Sequence, residues 1–289
     1  MRIIETIDEV RQALSTSKGT IGVVPTMGYL HPGHVSLIER ARQACDCVVV
    51  TIFVNPLQFG PNEDYDRYPR DLKRDAQLAE QAGADFLFTP SVEEMYPRPN
   101  QVGLTVRGLS DKLCGASRPG HFDGVATVVT KLFHIIQPSH AYFGQKDAQQ
   151  LAIIQCMVED LNLPISIVPC PTLREADGLA MSSRNVYLSE EERKQAPILY
   201  QSLLDVTKAL DQGAFSHASE VVNSIHEMFK QAPLGDIDYV EAFTYPDLQP
   251  IENLSDQPII IALAVRFGKT RLIDNVIWSR KEESPCFEQ

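Results

Sequence analysis

Basic residues, tryptophan and long apolar runs are all scarce in this sequence. Twenty-six Lys and Arg stand against 38 Asp and Glu in 289 residues, a formal net charge of −12, with one Trp. Nucleic-acid binding relies on a basic surface that neutralises phosphates, so general nucleic-acid binding is excluded. One small anion in a local basic pocket is not. No segment approaches the roughly 18 apolar residues of a membrane span. Acids Glu5, Asp8 and Glu9 stand where a secretory signal would carry its apolar stretch. The cysteines, at 45, 47, 114, 156, 170 and 286, are scattered. No CxxC pair or histidine cluster has zinc-ligand spacing. The expectation is a cytoplasmic protein with reduced thiols and no membrane contact. Internal repeats and low-complexity tracts are also lacking, which excludes a solenoid.

What is present is a change of pattern. The first part alternates apolar strands with amphipathic helices. Strands are expected at Thr20–Val24, Cys47–Val54, Asp85–Thr89, Ala141–Phe143 and Ile165–Val168, with a peripheral one at Val102–Val106. Helices are expected at Val35–Ala44, Tyr68–Ala82, His121–Gln137 and Ala148–Leu161. Strands alternating with helices imply an α/β domain, a Rossmann-like doubly wound parallel sheet. After Asn185 come two helices, Glu190–Gln212 and Ser216–Gln231, then strands at Asp236–Thr244, Pro258–Val265 and Thr270–Ile277. That order implies a smaller α+β domain. The expected division is residues 1–184, residues 185–280 as a lid, and a flexible tail at 281–289.

Five stretches carry the chemistry. Pro25-Thr-Met-Gly-Tyr-Leu-His-Pro-Gly-His34 joins a buried strand to a helix. A helix N-terminus there offers free N–H groups and a positive dipole end to a phosphate. His31 and His34, three apart, share a face, and Gly33 would let a ligand approach the backbone. Phe53–Phe59 leaves the next strand with two amides, Asn55 and Gln58, suited to hydroxyl and carboxylate groups. Ser117–Gly124 sets Arg118 and His121 at another helix start, which reads equally as an anion site or as a loop with an ordinary salt bridge. Tyr142–Gln150 holds Gly144 for a tight turn and Lys146 for a phosphate. Its Asp147 either caps a helix or holds magnesium. Gly178–Asn185 brings two serines and Arg184, whose guanidinium matches phosphate in bidentate geometry.

Together, in this order and spacing, these stretches resemble the pantoate–β-alanine ligases (AMP-forming). Tyr68-Pro-Arg70, Arg174–Asn185 and Arg271-Leu-Ile-Asp-Asn275 also match, so the resemblance reaches nearly to Trp278. HxGH alone belongs to a wide nucleotidyltransferase superfamily; the set is specific. The resemblance implies that pantoate attacks the α-phosphate of ATP to give pantoyl adenylate and pyrophosphate. β-Alanine then takes the acyl group, releasing AMP. It further implies an ATP site of Met27, Gly28, Tyr29, Leu30, His31, Pro32, Gly33 and His34, completed by Gly144, Gln145, Lys146, Asp147, Leu173, Met181, Ser182, Ser183 and Arg184. His34, His31 and Lys146 would act on the phosphates, and the family assigns His34 as proton donor. From the residues themselves, His34 reads first as an electrostatic stabiliser. Gln58 and Gln150 would hold pantoate, flanked by Asn55 and Tyr68. Magnesium dependence, with unassigned ligands, and a homodimer follow from the resemblance alone.

Overall fold

The computed structural model describes residues 1–61, 63–254 and 256–280. The 281–289 tail expected from sequence lies outside them. Two compact units emerge: Met1–Glu175 with Ala180–Ser183, and Ala176–Leu179 with the chain from Arg184 onward.

In the first unit the chain runs β1 (Arg2–Ile4), α1 (Ile7–Ser15), β2 (Ile21–Thr26), α2 (Pro32–Ala44) and β3 (Cys47–Ile52). It continues through α3 (Leu72–Gln81), β4 (Phe86–Phe88), the short α4 (Val92–Met95) and α5 (Leu113–Ser117), α6 (His121–Ile136), β5 (His140–Gly144), α7 (Ala148–Asp160) and β6 (Ser166–Cys170). The strands form one parallel sheet in the order β1-β4-β3-β2-β5-β6. Apolar residues on both strand faces explain this, because parallel strands are covered by helices on each side. Val24, Val48, Val50 and Leu87 pack with Ile38 and Ala41 of α2 and Ala79 of α3. Val23 and Val49, alternate in the same strands, are equally buried but belong outside that cluster, as period-2 alternation requires.

The strand order reverses between β2 and β5, and ligands of open α/β sheets bind at such a switch point. Gly22 pairs with His140 and Val23 with Ala141. Continuing that register sets Gly144 level with Thr26, so the turns after β2 and β5 start side by side.

Several expected boundaries shift. Helix α3 starts at Leu72, not Tyr68, because Pro69 disfavours helical backbone before it and Asp71 caps the helix through Arg74 N–H at 3.0 Å. Val102–Val106 is not a strand. It hydrogen-bonds to side chains of α6 instead, Val106 N–H donating to Asp123 Oδ1 at 2.8 Å. Helix Glu190–Gln212 is broken at Pro197 into α8 (Glu190–Gln195) and α9 (Ile198–Asp211), since proline supplies no N–H to the ladder. β1 and α1 were not anticipated.

In the second unit, α9 and α10 (Ala218–Phe229) cover an antiparallel sheet of β7 (Gly235–Thr244), β8 (Ile259–Phe267) and β9 (Thr270–Trp278), ordered β7-β8-β9. Leu199, Leu203 and Val206 pack with Ile261, Leu263 and Val265. This is the α+β architecture expected from sequence.

Candidate active site

The turn between β2 and α2 is shaped by a row of backbone ties. Gly28 and Tyr29 both have positive φ, +87° and 51°. Thr26 Oγ1 donates to Thr51 O at 2.7 Å and accepts from Gly28 N–H at 3.1 Å. The Asp75 carboxylate, from α3, accepts from Tyr29 N–H and Leu30 N–H, each at 2.7 Å. Burial raises the Asp75 pKa, and the two N–H groups and Arg74 pull it back only in part.

Beyond this bend His31 caps α2, and Pro32 occupies its first position, where a missing N–H costs nothing. The cap is reciprocal. His31 Nδ1 accepts from Gly33 N–H at 3.2 Å, and His34 Nδ1 accepts from His31 N–H at 3.3 Å. An imidazole nitrogen that accepts carries no proton, so both rings are held as neutral tautomers with the proton on Nε2. The rings lie 4.0 Å apart between centroids. Burial lowers the His31 pKa to about 4, with the Lys146 charge adding to the effect. Burial, then His31 and Lys146, push His34 well below its ordinary value. By accessible surface both residues are half-buried; the rings are sheltered more than the residues as a whole. The pair is thus two neutral Nε2–H donors, with no protein acceptor for either among the described residues, and Lys146 beside them.

Gly33 has a different role from the one expected. A Cβ there would lie 2.9 Å from the His31 ring and 3.7 Å from Met181 Cβ. What fills the space is the capping imidazole itself. Gly144 is also revised: its backbone is ordinary extended chain, φ −74°, and a Cβ would meet open space. The turn does not demand glycine. Asp147 precedes α7 without a side-chain cap; its carboxylate lies 3.8 Å from Lys146 Nζ and is half-exposed. Gln145 sits between Gly144 and this pair in a short 3₁₀ turn.

The Asn55–Gln58 turn is internally committed. Asn55 is buried, its Nδ2 donating to Gln58 Oε1 at 3.1 Å and to Gly124 O at 3.0 Å. Its Oδ1 accepts from Leu57 N–H and from the Tyr96 hydroxyl at 2.9 Å. Every polar valence of Asn55 is used, so it shapes the turn and offers nothing to a ligand. Gln58 Nε2 donates to Met27 Sδ at 3.2 Å, which leaves one amide hydrogen. Tyr68 is buried. Gln150, one residue beyond the fully engaged Gln149, is half-buried, and its side chain makes no hydrogen bond within the described residues.

Arg118 resolves to the salt bridge, not the anion site. Its Nε and Nη2 grip the two oxygens of Glu63 at 2.6 Å each. Burial would raise Glu63, but the Arg118 bonds and charge leave its pKa lowered. His121 Nδ1 donates to the Gln58 carbonyl at 2.8 Å, and its Nε2 takes an Arg118 N–H at 2.9 Å. Burial, then Arg118, lower the His121 pKa to about 4.

In Leu173–Ser183, Met181 N–H donates to Leu173 O at 3.0 Å and Arg174 bridges Ala180. This returns Met181 to Gly33; Ser182 follows, and Ser183 is buried. Arg184 opens the second unit. Among the described residues no three His, Cys, Asp or Glu side chains converge as a metal site.

Asp75, Glu63 and Tyr96 were missed from sequence. Asp75 had one legible signal: it continues the stripe of Ala79 and Ala82, both buried, at helical spacing.

The family model of pantoate–β-alanine ligase matches residues 2–277. A pantothenate synthetase of Pelotomaculum thermopropionicum is 55% identical over 280 residues, covering 96% of this chain and 99% of the relative. The crystal structure of the enzyme from Thermus thermophilus superposes with a TM-score of 0.91 at 49% identity, covering 96% of this chain and 99% of that one. A Francisella tularensis pantoate–β-alanine ligase, solved with β,γ ATP and β-alanine, gives a TM-score of 0.78 at 37% identity over 96% of this chain and 97% of that one. A sheet that reverses beside a capped histidine pair, and likeness of this extent end to end, make the chain an enzyme of the pantoate–β-alanine ligase family.

Proposed function

We propose that the protein condenses (R)-pantoate with β-alanine at the expense of ATP, through pantoyl adenylate, releasing pyrophosphate and then AMP. The observation that carries the reading is the pair of neutral Nε2–H donors at the switch point, with Lys146 beside it. The Francisella relative, complexed with β,γ ATP and β-alanine, supports the nucleotide and the amine.

Carboxylate attack on an α-phosphate requires in-line placement and neutralisation of charge on the phosphoryl oxygens. Lys146 supplies charge. His31 and His34 supply fixed hydrogen bonds without a charge of their own. A neutral His34 with a strongly lowered pKa is a poor reservoir of protons. Its Nε2–H is a donor that shortens onto the oxyanion as charge develops, which recasts both the proton-donor and the fixed-charge readings. Tyr29, Leu30, Gln145, Leu173 and the two serines frame the nucleotide; Arg184 reaches its phosphates. Gln58 and Gln150 hold pantoate by the amide hydrogens their protein contacts leave over.

Magnesium fits as a partner of the nucleotide. Mg²⁺ is ordinarily held by one or two carboxylates together with substrate phosphates. Asp147, half-exposed and paired only loosely with Lys146, is the carboxylate placed to share it. The ion would neutralise phosphate charge. The division of labour falls near residue 184, the later unit closing over the acyl adenylate to exclude water. A homodimer in the cytoplasm completes the reading.

The test incubates the protein with ATP, pantoate and β-alanine and follows AMP and pyrophosphate. AMP formation that requires pantoate is expected. Release of ADP, or AMP indifferent to pantoate, overturns the reading.

A further inference from the structure

Gly28 and Tyr29, separated from the histidine cap by Leu30 alone, adopt consecutive left-handed conformations, and the second is not glycine. Tyr29 at φ 51° holds a backbone conformation that L-residues rarely adopt. Such backbone persists where surrounding contacts over-determine it, and it concentrates at active sites. Here the contacts are three consecutive tied N–H groups: Gly28 to Thr26 Oγ1, then Tyr29 and Leu30 to the two oxygens of Asp75. The Asp75 oxygens come from another element, 46 residues away in sequence. Gly28 makes room for them, since a Cβ there would lie 3.1 Å from Asp75 Oδ2 and 2.9 Å from Ile52. Leu30 is fully buried and leads directly into His31.

We propose that Asp75 is the positioning residue of the nucleotide turn: its two carboxylate oxygens fix Tyr29 and Leu30, and thereby the direction in which His31 and His34 present their Nε2–H donors. This rests on the ligase reading above. A neutral helix residue in its place would leave α3 intact, because the carboxylate serves the turn and not the helix; Asp71 is the N-cap. Burial of the charge is itself costly, as the raised pKa of Asp75 shows. The fold therefore tolerates neutralisation better than the turn does.

The test is Asp75→Asn in the full chain, an isosteric change that keeps one acceptor and turns the other into a donor facing an N–H. Loss of positioning by about 1 Å costs on the order of 10²-fold in rate. Expected are a kcat per folded molecule lower by about 10- to 100-fold and a KM for pantoate little changed. The amide protons of Tyr29 and Leu30 move upfield as their short bonds to a charged acceptor are lost. A purely structural role would lower the folded fraction and leave kcat per folded molecule intact. If Asp75→Asn does not fold, Asp75→Ser, which leaves room for water against the two N–H groups, takes the same measurements. A folded variant with wild-type kcat, or one whose defect is in pantoate KM alone, overturns the proposal. A wild-type protein that forms no pantoate-dependent AMP instead sinks the ligase reading, while the amide shifts still report whether Asp75 holds the turn.

Discussion

Two helices of the first unit begin alike. Each has a Pro-Gly step and a histidine at its start: His31-Pro-Gly-His34 entering α2, and Arg118-Pro-Gly-His121 leading into α6. Both sites bury their imidazoles and hold them neutral. They differ in which nitrogen the protein uses. At α2 the backbone takes Nδ1 of both rings as acceptors and leaves Nε2–H. At α6 a carbonyl takes Nδ1–H and Arg118 takes Nε2, so nothing remains. The same Pro-Gly-His step, its histidine at N3 of α2 and at N1 of α6, keeps Nε2–H without a protein acceptor among the described residues in one case and makes the ring a brace in the other. Helix-start chemistry does not separate them; an account of every donor and acceptor does.

The largest effect expected is on rate. His34→Ala should cut adenylation by about 10²–10³, the cost of one preorganised donor. The loss of stability should be near that of a helix cap, about 1 kcal/mol. His121→Ala should weaken the fold by a similar amount, about 1 kcal/mol, through the lost hydrogen bonds to Arg118 and to the Gln58 carbonyl, which keeps Arg118 Nη2 at 3.2 Å, with adenylation per folded molecule largely kept. Single-turnover AMP formation and urea melts on both variants check this. Equal rate losses would erase the distinction.

Next comes Gly124→Ala, which strikes the brace alone. A Cβ there would lie 2.3 Å from Leu57 O and 2.7 Å from Gln58 N, and backbone cannot yield as a side chain does. Overpacking of this kind costs about 1–3 kcal/mol, and pantoate KM should rise more than ATP KM. An unchanged pantoate KM would free Gln58 from its role.

The last effect is common to both sites and is on pH dependence, not on rate. The unfolded chain protonates its histidines below about pH 6.5, whereas folded His31 and His121 do so only near about 4. Their folded pKa values are lowered, so the stability they carry is present above 6.5 and lost as pH falls from there toward 4. The slope is roughly 1.4 kcal/mol per pH unit for each histidine. Urea midpoints at pH 7 and pH 5 measure it; a midpoint that rises on acidification contradicts it.

The comparison also marks how far sequence reading reached. Strand ends, the turn between β2 and α2 and the Lys146 turn were legible as turns because they are local: an apolar run, then glycine and polar residues, then helical spacing. The break at Pro197 was missed, one helix Glu190–Gln212 having been expected, although a proline inside a helical pattern signals an interruption. The partners of Asn55, Asp75 and Glu63 were not legible, although Asn55 itself and the buried stripe through Asp75 were. Each is defined by partners far along the chain, 41 residues for Tyr96 with Asn55 and 55 for Arg118 with Glu63. An acid in α3 reads from sequence as part of the charged run Lys73–Asp75. The two helix starts were likewise indistinguishable before the fold brought Gln58 and Glu63 to one of them.

The most direct test is the histidine tautomers themselves, read by two-bond proton–nitrogen correlation on protein with ¹⁵N-labelled histidine at pH 7. Neutral Nε2–H forms are expected for His31 and His34 and a neutral Nδ1–H form for His121, with ATP shifting the first two and leaving the third. A protonated His34, or one shared tautomer for all three rings, would contradict the account.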